Sequence, residues 1–277
     1  MYTVPAMNIR AENRKIVIIT AWFGLALFIT AFLLISALVD TADAVTVRDL
    51  FYAVMGVTTV IALVSAAVKS HGQDKRIWTL VALAGSFWAT GDLTLRICEV
   101  TGMLGAKRVL CFSDIFFFAS YVALIAIVIL LGRSNGNPEI KIKWVKFYPF
   151  GVVVFSILIS VAFASFLPRG VAGGPGGLSS LNFSMIVNYV YTALDICIVA
   201  GLLIIILANR THFSRLWQAL LVLGLLTFSV ADLSYSLFKP AGIYDPANLP
   251  TQVIVALWLT GYGLLSLAAI HKLTQPF

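Results

Sequence analysis

Four aspartates, Asp92, Asp114, Asp195 and Asp232, lie inside strongly apolar stretches of this 277-residue chain. A carboxylate at the centre of a bilayer costs about 2.5–3.5 kcal/mol on insertion scales, so an ionisable group there marks a functional position by default. The polar and aromatic residues around them fall at helical spacing. Ser184, Asn188, Tyr191 and Asp195 recur at i, i+4, i+7 and i+11, which is one face of a helix. Gly85, Trp88, Asp92 and Arg96 share another face, as do Ser229, Asp232 and Ser236, and Thr251, Trp258, Tyr262 and Ser266. Asp114, Phe117 and Tyr121 form a fifth. Such faces turn toward a bundle interior or water, away from lipid. The chemistry on offer is recognition of a cationic or hydrogen-bonding group. Asp195 would fix it, Asn188, Tyr191, Tyr121 and Tyr262 would shape the pocket, and Trp88 and Trp258 would present aromatic faces to a cation.

Two of the carboxylates, Asp92 and Asp114, also have a local structural explanation to weigh. Asp92 has Arg96 at i+4, a within-helix ion pair. Asp232 has Ser236 at the equivalent place and so needs a tertiary partner, with Tyr235 and Lys239 the nearest donors. Asp114 sits close to a helix start, where the dipole favours negative charge. Asp195 has no local counter-charge. Catalysis is not expected: no Ser/His or Cys/His arrangement falls at a common depth. No metal or cofactor is expected either, because His71, His212 and His271 sit at helix ends without ligand spacing.

The elements that must carry these residues are read from composition. With 60% apolar and 11% charged residues, the chain lies far outside soluble averages. Apolar runs of about 20 residues predict an all-α, polytopic membrane protein with eight transmembrane helices, near 16 to 39, 50 to 68, 77 to 97, 109 to 132, 147 to 167, 184 to 207, 216 to 238 and 251 to 270. Basic residues concentrate at the termini and in alternate loops, among them Arg14, Lys15, Lys75, Arg76, Lys141, Lys143, Arg210 and Lys272, which places both termini in the cytoplasm. That bias accounts for the net charge of +7, and no basic run interleaved with aromatics points to nucleic acid. The first span exceeds a signal-peptide core and reads as uncleaved. Cys98 and Cys111 flank one outer loop, where a disulfide is conceivable, although two unpaired small apolar residues are the weightier reading.

An internal repeat at an offset near 140 organises the spans. Arg76-Ile77-Trp78 recurs as Arg215-Leu216-Trp217, Gly85 as Gly224, Gly91-Asp92-Leu93 as Ala231-Asp232-Leu233, and Ser120-Tyr121 as Gly261-Tyr262. The expected organisation is a first four-helix repeat at 1–132, a cytoplasmic linker at 133–146 and a second repeat at 147–277. An even number of spans per copy gives both the same orientation. The glycine-rich stretch 168–177 lacks the strand and the Gly-Lys-Ser/Thr of a phosphate loop and reads as a flexible outer connection. With this topology Asp92, Asp114 and Asp232 lie toward the outer surface and Asp195 near the centre. The polar route opens outward, and the apolar run from Cys197 to Ile206 seals it inward.

Trp78 followed by an apolar run to Gly91-Asp92-Leu93, then Ser113-Asp114-Ile115-Phe116-Phe117 to Tyr121, then Gly261-Tyr262, Ala268-Ala269 and His271, resembles the multi-spanning N-terminal sensor region found ahead of diguanylate cyclase and histidine kinase modules in prokaryotes. The resemblance implies a non-enzymatic sensor in a prokaryotic plasma membrane. In such proteins the last helix leads into an output domain, whereas here the sequence ends at Phe277, which implies signalling through a membrane or cytoplasmic partner. A secondary transporter and an accessory subunit of a larger membrane complex are the alternatives.

Overall fold

The structure, a computed structural model, describes residues 6–38, 41–101, 112–134, 183–208, 215–239 and 248–275. These form α1 (Ala6–Leu38), α2 (Thr41–Lys69), α3 (Gly72–Val100), α4 (Phe112–Ser134), α5 (Phe183–Ala208), α6 (Leu216–Phe238) and α7 (Leu249–Thr274), and no strand occurs among the described residues. All but α3 are long and apolar enough to cross a membrane, giving six candidate spans. The expected third span falls within α3, which is 29 residues long but diluted by Asp74, Lys75, Arg76, Asp92, Arg96 and Glu99. The expected fifth span, most of the linker and the glycine-rich loop lie outside the described residues, as does Cys111.

Helices form because hydrocarbon offers the backbone no partner, so each N–H and C=O must be met within its own segment. The same constraint governs small polar side chains on the outside. Thr58, Ser65, Thr90, Thr94, Thr227 and Ser234 each turn the hydroxyl back onto the carbonyl four residues earlier in their own helix. The outer surface is otherwise large and apolar, with Phe23 at 69%, Val68 at 72% and Val122 at 69% exposure. Patches of that kind are untenable in water and normal against lipid. The fold is that of a multi-pass membrane protein.

Neighbour relations close a ring. Around it, α2 packs on α3, α3 on α4, α4 on α5, α5 on α6, α6 on α7, and α7 returns to α2, while α1 lies outside against α7 and α2. Among the described residues, backbones facing each other across the ring do not approach, so side chains fill its centre. At one end, that of the short α2–α3 connection, Gly72 takes φ 60, a left-handed conformation in which glycine lacks the steric penalty of a Cβ. There Asp74 in the first turn of α3 binds Arg215 before α6 at 2.8 Å and Lys272 in the last turn of α7 at 2.5 Å. The middle of the ring is apolar, with Leu63, Ile127, Ile198, Leu202, Leu221 and Leu259 fully buried. The aspartates lie toward the other end. There α7 is started by Asn248, whose side chain accepts from Thr251 N at 2.9 Å, with Pro250 in the first turn.

Candidate functional site

The seam between α4 and α5 is built from two reciprocal hydrogen bonds. Asp114 falls in the first turn of α4, and Tyr121 follows seven residues later on the same face. On α5, Tyr191 and Asp195 stand at i and i+4. The two helices run in the same direction, so acid meets phenol at both levels. Tyr191 Oη donates to Asp114 Oδ1 at 2.9 Å, and Tyr121 Oη donates to Asp195 Oδ1 at 2.7 Å. Between these bonds the two tyrosine rings stack with centroids 5.6 Å apart. Asp114 therefore has a cross-helix partner in addition to its place at a helix start.

The other two aspartates follow the same rule. Trp258 Nε1 on α7 donates to Asp232 Oδ1 on α6 at 2.6 Å, and Tyr262 Oη on α7 reaches Asp92 Oδ2 on α3 at 3.5 Å. Each of the four carboxylates thus accepts from an aromatic side chain on a different helix. The partners expected for Asp232 prove wrong: Lys239 Nζ bonds Tyr235 Oη and sits over its ring at 4.8 Å to the centroid. Side chains four apart on one helix meet readily, and Asp232 turns to Trp258 on the neighbouring helix. Asp195 on α5 and Asp92 on α3 are close enough to Asp232 on α6 to act on it electrostatically. Asn188 Nδ2 donates to the Ser236 carbonyl at 3.4 Å, joining α5 to α6. The side chains of Arg96 and Ser184 lie outside the described set.

Aromatic rings connect these pairs. Trp88 touches Phe117, Tyr121 and Phe228 with centroids 5.3, 5.4 and 4.9 Å away. Phe228 continues to Tyr262 at 4.9 Å, Tyr262 to Tyr52 at 6.0 Å, and Tyr52 to Trp258 at 5.7 Å. Edge and tilted contacts of this kind each add about 0.5–1.5 kcal/mol beyond burial. Sequence reasoning missed Phe228, Tyr52 and Thr59. Phe228 precedes Asp232 by four residues, so its place on that face was readable. Tyr52 and Thr59 share a face of α2 seven residues apart, and Thr59 Oγ1 bonds the Tyr262 carbonyl at 3.2 Å and Ser266 Oγ at 2.9 Å.

Asp195 differs from the other three in one atom. It is 1% exposed, and among the described residues no cation pairs with it and its buried Oδ2 has no hydrogen-bond partner. If the group is ionised that oxygen lacks a donor, and if Oδ2 is protonated its hydrogen lacks an acceptor. Either state costs about 1–3 kcal/mol or more. The arrangement is suited to an incoming donor, charged or neutral, that meets Oδ2 beside Tyr121. Among the described residues no group of three or more His, Cys, Asp or Glu is placed to hold a metal ion. Comparison with protein-family models, with curated proteins and with solved structures finds no match for this chain.

Proposed function

We propose that this chain is a non-enzymatic, integral membrane sensor or ligand-binding module, in which Asp195 receives a cationic or hydrogen-bond-donating group from the outer side of a prokaryotic plasma membrane. The observation that carries the reading is the buried, unpartnered Oδ2 of Asp195. Asp92 and Asp232 add carboxyl acceptors, and Tyr121, Tyr191, Tyr262, Trp88, Trp258 and Asn188 line the approach. Entry is through the α4–α5 seam, the least extensively packed junction of the ring among the described helices. A ligand that binds Oδ2 draws charge away from Oδ1 and so weakens the Tyr121 bond across that seam, and the change in packing is the signal passed to a partner.

The proposed architecture is eight spans in two parallel four-helix repeats, with cytoplasmic termini. Repeat-matched residues meeting across the ring favour this arrangement. The rings of Trp78 and Trp217 are 5.4 Å apart, and Asp92 interacts electrostatically with Asp232. The matched helix crossings are also alike in kind. Ser120 Oγ donates to the Ala84 carbonyl at 3.0 Å where α3 meets α4, and a Cβ on Gly261 would come 3.2 Å from the Gly224 carbonyl where α6 meets α7. A transporter would need a second polar path, and the apolar middle of the ring speaks against one.

The test is thermal unfolding of purified protein against a panel of inorganic cations, amines and lipids, with wild type and Asp195→Asn. The expected result is at least one compound that stabilises the wild type and has no effect on the variant. Identical responses across the panel remove the site.

A further inference from the structure

At the opposite end of the ring from the aspartates, a second set of polar groups is closed inside. Trp78 lies in the second turn of α3 and Trp217 in the first turn of α6, both with 0% exposure and with ring centroids 5.4 Å apart. An indole N–H is a donor with no accepting capacity. Neither Nε1 has an acceptor among the described residues, although both atoms are buried. Buried N–H groups are nearly always satisfied, so two orphans in contacting side chains call for a shared explanation.

Their surroundings indicate what would satisfy them. Lys272 Nζ lies 5.4 Å from the centroid of the Trp217 ring. The same lysine and Arg215 converge on Asp74 at 2.5 and 2.8 Å, so two cations share one carboxylate. Among the described residues the cluster offers two unused N–H donors and two cations, one of them the half-exposed Arg215, for a single carboxylate. Total burial of both indoles limits the size of that acceptor. It also disfavours a divalent oxyanion, because the cost of desolvating an ion rises steeply with its charge.

We propose that the Trp78–Trp217 pair, with Arg215 and Lys272, forms a binding site for a small monovalent inorganic anion of the chloride class. The anion accepts from the two indole N–H groups and balances the charge that Asp74 leaves over. It ties the start of α3 to the start of α6 and the end of α7, at a point distinct from Asp195.

Equilibrium binding of radiolabelled chloride to the purified full chain, in gluconate buffer, tests this site. Trp78→Phe and Trp217→Phe keep an aromatic ring but remove the N–H together with the five-membered ring, and Lys272→Gln removes a cation while leaving both indoles in place. Wild type should bind chloride saturably at about one ion per chain, each single variant should bind at least about tenfold more weakly, and the double tryptophan variant should show no saturable binding. No saturable chloride binding by the wild type, which would mean that water alone meets the indoles, overturns the proposal, as does undiminished binding by the double variant. Asp195→Asn should leave chloride binding unchanged, so the two sites stand or fall separately.

Discussion

At the residue scale, the recurring unit is a carboxylate held by an aromatic donor on another helix. Such a bond removes part of the cost of burying the acid without introducing a counter-charge. Trp258→Phe should therefore destabilise the protein by about 1–3 kcal/mol, because it strands a buried carboxylate. In the double variant with Asp232→Leu the penalty should be less than the sum of the single effects, which a thermal-unfolding cycle would measure. Additive effects would mean that the 2.6 Å contact contributes nothing. The four acids and most of their donors were legible from spacing on single helices. The pairings were not, because Tyr121 and Asp195 are 74 positions apart and meet only through the order of helices in the ring. Asp232 was misassigned for the same reason: its own helix offered Tyr235 and Lys239, and nothing in the spacing announces Trp258 on the next helix.

At the scale of the element, glycine sets how closely helices cross. A Cβ on Gly261 would lie 3.0 Å from Phe228 Cβ, 3.1 Å from Phe228 N and 3.2 Å from the Gly224 carbonyl. Much of that obstruction is backbone, which cannot step aside as a side-chain tip can. Gly261→Ala should push α6 from α7 and cost about 1–3 kcal/mol, disturbing Phe228 and the Trp258–Asp232 bond with it. Gly24 on α1 has nothing within 4 Å of the corresponding position, so Gly24→Ala should leave the melting temperature unchanged or slightly raised. Equal losses at both positions would contradict the close-crossing account. The helices themselves were legible, since apolar runs of spanning length leave the backbone one solution in lipid. The boundaries of α3 were less so, because charged residues at both of its ends interrupt the apolar signal.

At the scale of the molecule, the ring divides into an acidic, aromatic end, an apolar middle and a second polar end around the paired tryptophans. Its outside is a lipid surface, which makes a prediction independent of any ligand. In single-tryptophan variants reconstituted with brominated lipid, Trp22, 42% exposed, should be strongly quenched, whereas Trp78 and Trp217 should be protected. Quenching of the pair to the same extent as Trp22 would contradict the packing. The central claim is that Asp195 receives the ligand and Tyr121 acts through it. The most direct measurement is the affinity of a compound that stabilises the wild type, determined for wild type, Tyr121→Phe, Asp195→Asn and the double variant. Asp195→Asn should lose at least about tenfold in affinity, with no further loss in the double variant. Wild-type affinity in Asp195→Asn would contradict it.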